Sequence, residues 1–322
     1  MALAAVPAPD VRCTVGDPRL AELSGLAVVE GSLWAMADGG RRIQLHRLDP
    51  DTCAVVDSRT ATVDPYDAED LAVGADGALW VGDTGDNDQR RDTVALIVVP
   101  TRGEPTLHRL TYPDGPHDAE ALLLDHSGRP FIVTKEPLSS GVYTPDGPLS
   151  ARRPTALRKV RTLSFGPTGT TGGPVGMASQ VLVTGGAVSA DGRLLVLRTY
   201  TDAYVWPAPD GDLEAALRTG DPRRIPLPAT PQGEGVAVSP DGRALLTSTE
   251  GLPGRVHEVP LGDAAVVDAP TGGPDGPADS STAAGERSWP DRLRPLTGPA
   301  LGLAALAGLL LWLARRTRRS RL

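Results

Sequence analysis

The sequence predicts an all-β chain built from repeated four-stranded sheets, and three observations carry that prediction. Short apolar runs recur along most of the chain, split by turn pairs at Asp76-Gly77, Ser127-Gly128, Asp191-Gly192 and Asp241-Gly242, with Glu30-Gly31 in the same place in the first repeat. Such a pair between two apolar runs is a strong hairpin signal. An acidic phrase opens several of the repeats: Asp67-Ala68-Glu69-Asp70-Leu71-Ala72-Val73, Asp118-Ala119-Glu120-Ala121-Leu122-Leu123-Leu124 and Gly233-Glu234-Gly235-Val236-Ala237-Val238. The 37 Gly and 31 Pro in 322 residues leave little room for long helices.

Taken in order, residues 1–10 read as the remnant of a signal sequence, with no basic start and too short an apolar core. Beyond each hairpin lies a third run, such as Ile43 to Leu48 or Val94 to Val99, and then a fourth, such as Thr106 to Leu110. Four antiparallel strands in a repeat of about 45 to 50 residues describe a β-propeller blade. First strands at Ser24, Glu69, Glu120, Gly185 and Glu234 give five blades over residues 11–261. A sixth is the alternative, hidden in the longer interval before the fourth first strand; its Gly/Pro-rich stretch Gly166 to Pro174 reads as a surface loop. The last blade has three runs of its own, and Val11-Arg12-Cys13-Thr14 is expected to close the ring as its fourth strand. Cys13 and Cys53, the only cysteines, flank the first repeat and are expected to pair, as suits an exported domain.

Residues 262–295 turn to Pro, Gly, Ala, Asp, Ser and Thr, a composition expected to form a disordered stalk. From Leu296 to Ala314 no residue is charged, close to the roughly 20 residues that a membrane-spanning helix needs. Five arginines follow in the tail 315–322, which by the positive-inside rule sets that end in the cytoplasm. The expectation is a single-pass cell-membrane protein whose propeller lies outside the cytoplasm. The formal net charge is −8, and the acidic body argues against nucleic acid as a partner.

Propeller geometry turns the acids into a spatial expectation. The starts of the first strands and the ends of the second strands meet around one channel mouth. The first column reads Ser24, Glu69, Glu120, Thr184, Glu234, and the second Asp38, Asp83, Glu136, Arg198, Glu250, with Asp86, Asn87, Lys135 and Asp202 nearby. So many carboxylates repel one another unless a positive charge sits among them. Lys135 and Arg198 are one source, and a hard cation such as Ca²⁺ with oxygen ligands is another. The alternative is architectural, with the acids accepting backbone N–H bonds between blades. Asp38, Lys135, Glu136, Arg198, Asp202 and Glu250 form the expected ligand-binding set. The five histidines lack ligand spacing, and no Gly-x-Ser-x-Gly, Walker, Cys-x-x-Cys or His-Glu-x-x-His motif occurs.

The segment Glu234 to Val238 with its turn Ser239-Pro240-Asp241-Gly242-Arg243 resembles propellers of the gluconolactonase (senescence marker protein) and esterase-like phytase type. Leu23-Ser24-Gly25-Leu26, Gly82 to Asn87, Tyr112 to Glu120 and Arg198 to Tyr204 more closely resemble exported actinobacterial propellers of uncharacterised function. In gluconolactonase-like enzymes a channel Glu, an Asn and an Asp hold a divalent metal, and Glu234, Asn87 and Asp83 are similar in kind. With Glu69 and Glu120 they complete the expected metal set. The expected function is a propeller that binds a small molecule or protein partner at an acidic mouth. The alternative is a metal-dependent hydrolase of lactone, ester or phosphoester substrates.

Overall fold

The structure, a computed structural model, describes residues 8–262. The chain enters with β1 (Asp10–Val15) and then lays down four complete antiparallel meanders. The first holds β2 (Leu23–Val29), β3 (Ser32–Ala37), β4 (Ile43–Leu48) and β5 (Val55–Ala61). The second holds β6 (Asp70–Val73), β7 (Leu79–Asp83), β8 (Val94–Val99) and β9 (Thr106–Thr111). The third holds β10 (Ala119–Leu124), β11 (Pro130–Thr134), β12 (Ser140–Pro145) and β13 (Thr155–Leu163). The fourth holds β14 (Val183–Val188), β15 (Leu194–Thr199), β16 (Asp202–Pro207) and β17 (Arg223–Pro226). The fifth has β18 (Val236–Val238), β19 (Ala244–Thr247) and β20 (Gly254–Pro260), and β1 pairs with β20 to supply the fourth strand.

Contacts between inner strands run from β2 to β6, β10, β14 and β18 and back to β2, so the five sheets form a closed ring. Five apolar clusters each straddle one pair of adjacent blades. Between blades 3 and 4, for example, Leu123, Phe131 and Val133 pack on Leu195, Leu197 and Trp206. Strands buried on both faces carry near-continuous apolar sequence, which is why Val94 to Val99 shows no polar alternation. The outermost strands β9 and β13 also pair in parallel at Leu110 and Thr155, merging blades 2 and 3 into an eight-stranded sheet.

The turns explain their own sequence. Ser189 and Ser239 each accept two backbone N–H bonds, from Arg193 and Leu194 and from Arg243 and Ala244, and each donates to the turn aspartate two residues on. Gly192 and Gly242 take φ of +73° and +70°, a left-handed conformation that favours glycine. The sequence reading missed the short helical elements, the longest of them α1 (Leu213–Thr219), capped by the Asp212 side chain on the Ala215 N–H.

The single-pass membrane location is not upheld. No helix among the described residues is long and apolar enough to cross a membrane, and α1 spans only seven residues. The expected run 296–314, the stalk beyond residue 262 and the basic tail lie outside the described residues, as do residues 1–7 of the expected signal remnant.

The expected Cys13–Cys53 disulfide is formed, with the two Cα atoms 5.6 Å apart. It joins β1 of the last blade to the β4–β5 turn of the first, the seam where the ring closes.

Candidate functional site

Inner strands start on one face of the ring, called the front face below. There the two Asp-Ala-Glu phrases come together. Ala68 and Ala119 turn into the inter-blade cores. The flanking acids converge on one another instead, with Glu69, Asp118 and Glu120 meeting and Asp67 reaching Gly85 beside Glu69. At Glu120 the pairing of β10 with β11 slips by one residue between Ala119 and Ala121. The same slip occurs at Ser24 and Thr184, the equivalent positions of blades 1 and 4. Such a bulge re-aims the side chain at the start of an inner strand.

Glu69, Asp118 and Glu120 are all buried, and one carboxylate oxygen from each lies within 4.8 Å of the others. The Lys135 ammonium donates to Glu120 Oε1, and its side chain is only 3% exposed. It also stands 5.1 Å from the centre of the Tyr200 ring. The cluster thus carries three carboxylates against one buried ammonium.

The connection 84–93 wraps the cluster. Asp86 N–H donates to Asp118 Oδ1 at 2.8 Å, and Asn87 Nδ2 donates to Asp67 Oδ2 at 3.4 Å. A Cβ at Gly85 would collide with Glu69 Oε1 and the Asp67 carboxylate, so a larger residue there would push these acids aside. Arg91 holds the loop with a nearly buried side chain, donating to Gly85 O at 2.7 Å and pairing with Asp83 at 3.2 Å. Asp86 Oδ1, Asn87 Oδ1 and the Tyr112 hydroxyl are buried with no hydrogen-bond partner among the described residues.

Beside this cluster on blade 3, His117 is gripped at both ring nitrogens. Nδ1 lies 2.7 Å from Glu136 Oε1, and Nε2 lies 3.0 Å from Asp114 Oδ1. The Tyr143 hydroxyl donates to Asp114 Oδ2 at 2.8 Å, and Lys159 donates to the same oxygen at 3.0 Å. Burial pushes the Asp114 carboxyl up, but bonds from His117, Lys159 and Tyr143 outweigh it and hold the group down at about 2. Burial pushes the Tyr143 phenol up to about 12.

Of the expected metal set, Glu69 and Glu120 meet, and Asp118 joins them in place of Glu234. Glu234 receives a bond from Gln232 Nε2 at 3.3 Å on blade 5. Asp83 is architectural: its Oδ1 accepts the Tyr66 and Asp67 N–H groups at 3.1 and 2.8 Å. Asn87 lies at the margin, on Asp67.

The expected ligand-binding set divides in the same way. Lys135 and Glu136 stand at the site. Arg198, wholly buried, donates to the carbonyls of Thr199, Tyr200, Gly235 and Ser248. Burial lowers its pKa to about 10, against the opposing charge of Glu234. Asp202 accepts from Thr168, Thr170 and Thr201 and pairs with Arg224 at 2.6 Å, fastening the long loop before β14. Asp38 and Glu250 sit partly exposed at the front ends of β3 and β19, with N–H bonds to Glu22 O and Gln232 O. The first-column hydroxyls pin blades: Ser24 Oγ donates to Glu69 O, and Thr184 Oγ1 to Gly233 O at 3.0 Å.

No family model matches the chain, and no curated protein matches it. Solved structures do resemble it at low identity. A gluconolactonase from Xanthomonas campestris is 18% identical, covering 74% of this chain and 71% of its own, with a TM-score of 0.43. A luciferin-regenerating enzyme is 16% identical over 74% of this chain and 77% of its own, with a TM-score of 0.44. The glutaminyl cyclase of Myxococcus xanthus is 13% identical over 78% and 95%, with a TM-score of 0.47. These values are in line with a distant similarity to gluconolactonase-like propellers and carry nothing about activity.

Proposed function

We propose that the front mouth of the channel binds a divalent cation of the calcium type and, through it, an oxygen-bearing ligand. The observation that supports this reading is the convergence of Glu69, Asp118 and Glu120, three buried carboxylates with oxygens within 4.8 Å. Three carboxylates buried together repel one another unless positive charge sits among them, and a bound cation would join the Lys135 ammonium in that role. The donors fit a hard cation, since all three are carboxylate oxygens. Asn87 Oδ1, buried and without a partner beside Asp67, adds an amide oxygen of the kind such ions take.

A second reading is hydrolysis of a lactone, ester or phosphoester, and His117 favours it. Its imidazole sits next in sequence to Asp118 and is held by Glu136 and Asp114; with the Asp114 contact released, the freed Nε2 would serve as general base for a water at the cation. A bound cation supplies polarisation of a carbonyl or phosphoryl oxygen.

Calorimetry of the full chain with Ca²⁺ tests the cation site. Wild type and Glu234→Gln are expected to bind alike, while Glu69→Gln and Asp118→Asn lose at least about tenfold in affinity. Absence of binding, or equal binding by all four proteins, would sink the site. Turnover of an aryl ester, an aryl phosphate or a δ-lactone that vanishes in His117→Ala decides for hydrolysis. No turnover by the calcium-loaded protein decides for binding alone.

A further inference from the structure

We infer that the front rim over blades 2 to 5 docks a polypeptide segment of another protein that carries apolar side chains beside a lysine or arginine. Among the described residues six large apolar side chains are exposed, and four of them stand on front-face connections. These are Tyr66 before β6, Leu138 between β11 and β12, Met177 before β14 and Leu252 between β19 and β20. The other two, Val11 and Val56, lie on the outer strands β1 and β5, so the back-face turns carry none. Scattered exposure is ordinary, but here every large apolar side chain exposed on a connection among the described residues stands on the same face, and we take that face as the interaction surface.

The surface is preformed. The connection 164–182 contains no Asp, Glu, Lys or Arg, and it presents Met177 with 59% exposure. Asp202 holds it through Thr168 and Thr170, each at 2.8 Å, and Gln180 Oε1 accepts the Thr168 and Gly169 N–H groups at 2.7 and 3.0 Å. Tyr66 is likewise fixed, with the Arg91 guanidinium 4.5 Å over its ring. Anchors already held in place lose little entropy on binding.

Charge selects the occupant. The apolar rim borders the acidic mouth, and Glu136 and Glu250 flank it beside Leu138 and Leu252. A basic side chain on the partner would meet these carboxylates. A second copy of this chain docked symmetrically would set one acidic mouth against another, a repulsive arrangement. A polypeptide can also reach anchors on successive blades, which a small molecule cannot.

The test measures fluorescence anisotropy of a labelled hexapeptide, Leu-Arg-Leu-Leu-Arg-Leu, titrated with the full chain. Two analogues serve as controls, one with serine for leucine and one with glutamate for arginine. The parent peptide is expected to bind at least about tenfold more tightly than either. The exposed double variant Leu138→Ser/Met177→Ser is expected to erase the preference over the serine analogue and to keep the preference over the glutamate analogue. Absence of binding, equal binding of the three peptides, or a preference over the serine analogue that survives the double variant would overturn the proposal. Calcium calorimetry on the same preparations reads the cation site separately, so either idea can fail without the other.

Discussion

Asp70 Oδ2 accepts a hydrogen bond from the Gly186 N–H at 3.0 Å, tying β6 of blade 2 to β14 of blade 4. The same oxygen takes the Leu122 N–H of blade 3 at 2.8 Å, and Oδ1 takes the Leu71 N–H. One side chain therefore pins the inner strands of three blades. Gly186 belongs there because a Cβ would press within 2.8 Å of Leu123 Cδ2 and hold β10 and β14 apart.

Asp70→Ala should destabilise the fold by roughly 3 to 5 kcal/mol, because it strands buried N–H groups on Leu122 and Gly186. Asp70→Asn should cost less, since its one oxygen still serves Leu122 and Gly186 while its amide opposes the Leu71 N–H. Urea midpoints of the three proteins check this. An Asp70→Ala midpoint no lower than that of a surface variant would refute the pin.

Arg198 is expected to report on stability rather than on ligand affinity. Its guanidinium satisfies carbonyls on both sides of the blade 4–5 junction, and Arg198→Met removes those bonds and the positive charge near Glu234. The expected loss is about 3 to 5 kcal/mol. Arg198→Lys should recover little of it, because one ammonium cannot reproduce the planar fork of donors. Thermal unfolding of both variants, with and without Ca²⁺, separates this role from a ligand contact.

The blades were legible because inter-blade burial writes continuous apolar runs and the turns demand Asp-Gly. Closure by Val11 to Thr14 and the Cys13–Cys53 bridge followed from a blade one strand short and a single pair of cysteines. The site was half legible. Glu69 and Glu120 stood out, and Asp118 carried the same signal, since Asp-Ala-Glu occurs twice at matching positions. Arg198 and Asp202 looked like ligand residues because their partners are remote in sequence: Ser248 lies 50 residues from Arg198, and Thr168 lies 34 from Asp202. Nor does a linear pattern reveal the bulge at Glu120, which depends on pairing with β11. The seven-residue α1 was too short to build a helical period.

Removing the disulfide should loosen the ring at its seam. Cys13 and Cys53 close a loop across 40 positions, and the bridge holds the N-terminal strand on the last blade. Cys13→Ser/Cys53→Ser is expected to lose about 2 to 4 kcal/mol, measured in urea under oxidising conditions. Hydrogen exchange should rise first in β1 and β20. Uniform exchange across all five blades would argue against a seam.

Acid should weaken the contacts around Asp114 on blade 3. In the folded state Asp114 titrates at about 2, held down by His117, Lys159 and Tyr143 despite its partial burial. An unfolded aspartate titrates near ~3.9. A carboxyl depressed on folding stabilises the native state above the unfolded pKa, and that contribution drains away as pH falls from about 4 through 2. The side chain is 38% exposed, so solvent screening keeps the effect modest. Asp114→Asn removes the charge at every pH. It should therefore be less stable than wild type at neutral pH and converge with it by about pH 2. Unfolding midpoints measured at intervals from pH 6 down to pH 2 test the sign. A gap between the two proteins that widens with acid would contradict the assignment.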